Sequence, residues 1–256
     1  MVVTAARYPV IPTLAELSEV GAAWLSTPRP GPGVCEVCWT FTGGPARCGP
    51  CGRSEPWLAS MTPVSYSLAA GRLHHALAGY KRRDGAAARR YQLVLGAVLW
   101  RWLAGHERCV ALDVGVAELP IVTVVPSGNR HWDAWHPLRQ LVGRSVGPTR
   151  ERYEPLLVRS AVPVAEHTFS TEKFVVRRRL AGEPVLLVDD TWTSGAGAQS
   201  AAAALRAAGS GPVAAVVIGR HLRCDWQDTA QRWPGVAGRF GWEACGRCAE
   251  VRRSGP

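Results

Sequence analysis

One segment narrows the folds open to this chain more than any other. It runs Val185-Leu186-Leu187-Val188-Asp189-Asp190-Thr191-Trp192-Thr193-Ser194-Gly195-Ala196-Gly197 and continues into the Ala-rich stretch Ala198–Ala208. Unbroken apolar residues at Val185–Val188 mark a strand buried on both faces. The strand enters two carboxylates, and small residues then lead into a helix that Gly209 stops. In open α/β sheets, ligands bind outside the carboxyl ends of the strands, which is where Asp189 and Asp190 fall. Carboxylates there can accept hydrogen bonds from two vicinal ribose hydroxyls. The turn Thr193–Gly197 adds free backbone N–H groups at a helix N-terminus and the hydroxyls of Thr193 and Ser194, which together make an anion site. Diol-binding acids beside a phosphate nest fit a ribose 5-phosphate. The plain alternative is a strand ending in surface acids before an ordinary helix.

Other segments agree with a parallel sheet covered by helices. Ile121–Val125 is a β-branched run ended by Pro126, and Val213–Ile218 is a second unbroken apolar strand. Leu156–Val158 and Val175–Val176 are weaker strand candidates. Ala86–Leu103 has helical periodicity, with Tyr91, Val94, Leu95, Val98, Leu99 and Trp102 on one face. Thr13–Leu25 reads as a short amphipathic helix whose Thr13 and Glu16 form a capping box. Thr27–Gly33 is a Pro/Gly-rich linker. At 256 residues and 47% hydrophobic, the chain can bury one sizeable α/β core plus a small appendage. The longest apolar run, Leu93–Leu103, is interrupted by Arg101 and is too short for a membrane span. No signal peptide is legible at the start. A cytoplasmic protein without membrane insertion is expected.

The eight cysteines add a second constraint. Cys35, Cys38, Cys48 and Cys51 form two Cys-x-x-Cys knuckles joined by a short linker, each able to aim two thiolates at one tetrahedral ion. A structural Zn2+ in a small zinc ribbon is the expectation, against unpaired thiols or a redox pair. A second site is drawn more loosely from His221, Cys224, Cys245 and Cys248. Free or buried thiols, with His221 an ordinary surface residue, are the alternative there. The segment Asp225–Glu243 between them reads as irregular.

Charge is the third. The formal net charge is +10, concentrated in Arg72–Arg90 and again in Arg144–Arg179. Such fields attract nucleic acid or a small polyphosphate ligand, and they equally serve as a solvated basic face.

The segment Val185–Gly197 resembles the 5-phosphoribosyl 1-diphosphate (PRPP) motif of type I phosphoribosyltransferases: an apolar strand, two Asp, two variable residues, Thr-Thr-Gly, one residue, then Thr or Ser. Asp189, Asp190, Thr193 and Gly195 match, Ser194 is a mild change, and Gly197 replaces the expected hydroxyl. The surrounding order is similar to the ComF competence-protein family. A four-cysteine zinc motif comes first, then a basic segment like Tyr80-Lys81-Arg82-Arg83-Asp84-Gly85, a strand ending in proline at Ile121–Ser127, and the PRPP motif. The likeness weakens between Gly128 and Glu183. There Arg130-His131-Trp132-Asp133-Ala134-Trp135-His136 stands in place of an Arg-Gly-Phe-Asn type segment, and the expected Gln and Arg/Asn residues are not evident around Glu166–Arg179.

The resemblance implies a mostly parallel α/β sheet flanked by helices, preceded by the zinc module. Residues 1–34 would be helix and linker, 35–60 the zinc module, 61–222 the phosphoribosyltransferase-like domain, and 223–256 a Cys- and Trp-containing tail. PRPP would be held by Asp189, Asp190, Thr191, Thr193, Ser194, Gly195, Ala196 and Gly197, with Ser127 and Arg130 at its pyrophosphate. Asp189 and Asp190 would be the catalytic acids, and Mg2+ would bridge the pyrophosphate and hydroxyl oxygens. A nucleophile would attack the ribose C1 as pyrophosphate leaves, with an acceptor that the residues do not identify. The same resemblance implies DNA uptake as the alternative role, with single-stranded DNA or a DNA-uptake helicase as partner and PRPP regulatory or vestigial. Tyr80, Trp132 and Trp135 are the candidate stacking residues for that role.

Overall fold

A computed structural model describes residues 12–53, 55–82, 85–128, 133, 135–237 and 239–248. Arg83, Asp84, Arg130 and Trp132, named above for charge, phosphate binding or stacking, lie outside the described residues. Among the described residues there are six strands: β1 (Ser60–Leu68), β2 (Ile121–Val124), β3 (Leu157–Arg159), β4 (Phe174–Val176), β5 (Val185–Trp192) and β6 (Val213–Leu222). The longer helices are α1 (Leu14–Ala22), α2 (Arg72–Gly79), α3 (Ala86–Asp113), α4 (Ala196–Ala207) and α5 (Gln227–Val236).

β1, β6, β5 and β2 lie side by side in that order, every neighbouring pair parallel. Because strand side chains alternate between faces, each apolar run serves two layers. Leu186 and Val188 of β5, with Ala214, Val216 and Ile218 of β6, pack in one cluster with Leu95, Val98, Leu99 and Trp102 of α3. Val185 and Leu187, with Val213, Ala215 and Val217, pack in the other with Ala198, Ala201, Ala202 and Leu205 of α4. Unbroken apolar strands are what this two-sided burial requires. The α/β class and the mostly parallel sheet flanked by helices agree with the sequence analysis.

Several details differ from expectation. The helix expected over Ala86–Leu103 runs ten residues further, to Asp113, with His106, Val110 and Ala111 buried along the extension. β1 is unmarked in the sequence because Ser60, Thr62, Pro63, Ser65 and Ser67 give it a polar look, yet Thr62, Ser65 and Ser67 are fully buried. Pro63 is tolerated because β1 is an edge strand of the sheet. β3 and β4 do not join the main sheet and pair with each other, antiparallel. The tail that reads as irregular contains α5. At the N-terminal end the capping box forms as read: the Thr13 hydroxyl accepts the Glu16 N–H at 3.2 Å, and the Glu16 carboxylate accepts the Thr13 N–H at 2.8 Å. Around the first cysteines there is one isolated bridge, Val34 to Phe41, and one helical turn, Gly49–Gly52. Among the described residues, no helix is long and apolar enough to cross a membrane.

Candidate functional site

β5 carries Asp189 and Asp190 through its carboxyl half, so both acids remain within the sheet's hydrogen-bonded register. They line a cavity of about 470 Å3 together with Thr191, Thr193–Gly197, Ser127, Lys81 and His136. Thus the described residues read as diol acids, phosphate nest and pyrophosphate loop come together; Arg130 lies outside the described residues. The two acids are not equivalent, and Asp190 is not the exposed carboxylate a strand end suggests.

Asp190 is 4% exposed. Its carboxylate accepts the Tyr80 hydroxyl, and Lys81 Nζ approaches both oxygens, at 2.9 and 3.0 Å. Burial works to raise its pKa, but Lys81, the Tyr80 hydroxyl and His136 together outweigh that and hold it below the ordinary carboxylate value. Asp189 is half-buried and accepts the backbone N–H of Asp190 at 2.9 Å. Burial, then the neighbouring Asp190 charge, push it up to about 8, against an opposing pull from Lys81. Two like charges in one low-dielectric site do not ionise together easily, so near neutrality the pair shares one proton, with Asp190 the carboxylate. Tyr80 is fully buried against Asp190, which removes it from the candidate stacking surface. Lys81 is likewise committed to the acid pair rather than free in the basic segment.

After β5, the chain turns at Gly195 with φ of 79°. A Cβ there would lie 2.1 Å from the Trp192 indole, so glycine is required on both counts. Thr193 and Ser194 are exposed, and α4 begins at Ala196 with no side-chain cap on the N-cap residue. This helix N-terminus opens onto the cavity beside the acids. His167, itself at a positive φ of 57°, contacts both hydroxyls: Thr193 Oγ1 lies 3.4 Å from its Nδ1, and Ser194 Oγ donates to its carbonyl at 3.4 Å. Gly197 has no positive φ, and a Cβ there meets only Val125 Cγ1, at 3.6 Å.

On the β2 side, the Ser127 backbone N–H donates to Asp133 at 2.7 Å, and Arg139 pairs with Asp133 at 2.5 Å. Arg139 also donates to the Leu157 carbonyl, tying this loop to β3. The β3–β4 hairpin contributes Arg159 and Lys173 to the cavity wall. Lys173 is 6% exposed and donates to the Thr168 carbonyl at 3.1 Å; burial and then Arg159 lower its pKa. These cations, with Asp133, Arg139 and His136, are what the sequence analysis did not identify. They come from the stretch where the family likeness weakens, and only their pairing in space gives them meaning. A larger apolar groove of about 1320 Å3 adjoins the cavity and shares Lys81, Ser127 and His136 with it. Arg82, Arg89, Leu93 and Trp135 also line the groove.

The first cysteine set converges: the Sγ atoms of Cys35, Cys38, Cys48 and Cys51 all lie within 4.8 Å of one another, and Cys35 and Cys38 are buried. Cys38 and Cys48 Sγ are 3.6 Å apart, and the Cys48 N–H points at Cys35 Sγ. Four thiolates at about 2.3 Å from a tetrahedral ion would be about 3.8 Å apart, so the set can hold a metal ion. Arg220, on β6 and 6% exposed, joins this cluster to the cavity at the end of β5. Its guanidinium donates to the Cys38 carbonyl at 2.5 Å and to the carbonyls of Trp192 and Thr193 at 3.3 and 3.4 Å.

The second set is corrected. His221 sits at the carboxyl end of β6, stacked near His74 with ring centroids 5.0 Å apart, and Cys224 is exposed and donates to the Ala69 carbonyl. Cys245 and Cys248 instead meet His106 and Cys109 of α3, again with all four ligand atoms within 4.8 Å. The His-x-x-Cys spacing at His106 and Cys109 puts both on one helix face and was the available signal. It was masked because it lies inside an apolar helix.

No family model, curated protein or solved structure matches this chain.

Proposed function

We propose that the protein binds PRPP with Mg2+ at Asp189–Gly197, and that it transfers the phosphoribosyl group to an acceptor seated in the adjoining groove. One observation carries the reading: a pair of carboxylates on a central parallel strand and the N-terminus of α4 face the same cavity. The acids would accept the ribose hydroxyls, while Thr193, Ser194 and the N–H groups of Gly195–Gly197 would take the 5-phosphate. The loop at Ser127, whose backbone N–H is held by Asp133 and thereby braced by Arg139, would lie against the pyrophosphate. Lys81, Arg159 and Lys173 supply positive charge around that region, and such fixed charge is how a site stabilises a leaving pyrophosphate. Mg2+ would be held mainly by phosphate oxygens. The first cysteine set would hold a structural Zn2+, and Arg220 would transmit its order to Thr193.

Calorimetry tests the binding. PRPP with Mg2+ should bind the zinc-loaded protein, and pyrophosphate should be released when an accepted base or amine is added. Absence of any heat of binding sinks the enzyme reading and leaves the fold untouched. The second reading, a nucleic-acid partner, rests on the groove wall, to which Arg82, Arg89 and the 73% exposed Trp135 all contribute. It requires single-stranded DNA binding that weakens steeply with salt; no binding at low salt removes it.

A further inference from the structure

We infer that His106, Cys109, Cys245 and Cys248 form a second zinc site, which fastens the C-terminal knuckle to α3 and packs it against the first cysteine cluster. The distances match a tetrahedral ion of three thiolates and one imidazole. Cys109 Sγ lies 3.6 Å from Cys248 Sγ, Cys245 Sγ lies 3.4 Å from Cys248 Sγ, and Cys248 Sγ lies 3.5 Å from His106 Nδ1. Ligands about 2.1 to 2.3 Å from zinc have edges of this length. The Cys245 N–H also points at Cys248 Sγ, at 3.2 Å, as in a metal-binding knuckle where a backbone donor steadies a thiolate.

The histidine is oriented for the role. His106 Nε2 lies 2.8 Å from the carbonyl oxygen of Trp242. A carbonyl only accepts, so Nε2 carries the proton and Nδ1 presents its lone pair to the sulfurs. This is the outer-shell arrangement that fixes the tautomer of a metal-bound imidazole. His106 is 4% and Cys245 is 6% exposed, while Cys109 and Cys248 are half-buried, so the cluster is largely shielded from water.

The site reaches past its own ligands. Between the two cysteines, Gly246 lies so close to Trp39 that a Cβ would fall 2.4 Å from the indole. Arg247 stacks its guanidinium 4.9 Å from the Trp39 ring centre and pairs with Asp113 at 3.2 Å. Trp39 immediately follows Cys38, and its indole N–H donates to the Met61 carbonyl at 2.7 Å; Arg247 donates to the same carbonyl at 3.3 Å. Both knuckles therefore close on the first residues of β1, one from each end of the chain.

Metal counting tests this without reference to PRPP. Full-length protein expressed with zinc and purified under reducing conditions should carry two zinc ions per chain. Cys109→Ser and Cys38→Ser should each lower the count to one. Should either variant fail to fold, cobalt substitution of the wild type replaces it: two spectrally distinct tetrahedral sites are expected, one all-sulfur and one with a nitrogen ligand. A single ion per wild-type chain, or a single all-sulfur cobalt spectrum, overturns the inference. So does mass spectrometric detection of a Cys245–Cys248 disulfide in the freshly purified protein.

Discussion

Asp189→Asn separates the chemistry of the acid pair from its effect on folding. In the unfolded chain an Asp ionises near pH 3.9; in the fold Asp189 is pushed up to about 8 by burial and by Asp190. The folded chain therefore holds this proton more tightly. Its stabilising contribution is complete below about pH 4 and is lost as pH rises toward 8. Each pKa unit is worth about 1.36 kcal/mol, which sets a ceiling of about 6 kcal/mol on that loss. Half-burial and the sharing of charge with Asp190 and Lys81 reduce it to about 1–2 kcal/mol at pH 8. Asn is neutral at every pH and keeps an oxygen for the Asp190 N–H, now bonded at 2.9 Å. The variant should accordingly melt about 2–8 °C above the parent at pH 8, with the gap closing near pH 4. At the same time it should bind PRPP about ten- to a hundred-fold more weakly, since hydrogen bonds to charged groups are worth about 1.5–3 kcal/mol. Thermal melts across pH 4–9 and calorimetry at pH 8 measure the two effects. A variant that melts below the parent by a margin that grows as pH rises from 4 to 8 would refute the reasoning, because the acid would then be stabilised as an anion in the fold.

Gly197→Thr should leave PRPP affinity unchanged or improve it, read by the same calorimetry, because its backbone is not left-handed and a Cβ meets only Val125. Replacing a helical glycine should also raise the melting temperature slightly. Arg220→Met strands the Cys38, Trp192 and Thr193 carbonyls that the guanidinium now serves. A loss of about 2–4 kcal/mol in chemical denaturation is expected, with weaker PRPP binding at undiminished zinc content. Zinc removal by chelation should lower the melting temperature markedly, since metal binding and folding are coupled at such sites; unchanged melting after verified removal would refute a structural role.

What the sequence made legible follows from where each signal lies. Val185–Gly197 could be read whole because strand, acids, glycine turn and helix are contiguous, and the local pattern already contains the site. The first four cysteines were equally compact. Asp133 and Arg139 were not legible as a pair, because nothing in a stretch rich in Trp and His marks which residue will brace the loop at Ser127. Lys81 and Tyr80 could be seen as part of a basic segment, but their engagement with Asp190 depends on α2 ending over the carboxyl edge of β5. The tail cysteines were assigned to the nearest upstream His-x-x-Cys, at His221. Topology sends them to His106 instead, more than a hundred residues earlier, because the tail returns across α3.

The strand order also sets a timetable for folding. β1 pairs only with β6 in the sheet, and Ser60 finds its partner Ala214 about 150 residues later in the chain. At roughly 5–20 residues per second on the ribosome, β1 waits about 8–30 s with one edge destined for pairing but still unpaired. A long apolar edge held open for that interval would invite other chains. The serines, the threonine and Pro63 that disguise β1 in the sequence make it a poor template for such contacts. Part of that polarity also serves the finished fold, where the Ser60 hydroxyl donates to Asp113 and the Ser65 hydroxyl accepts the Ser26 N–H at 2.8 Å; before β6 arrives, the same residues would make the waiting edge less adhesive.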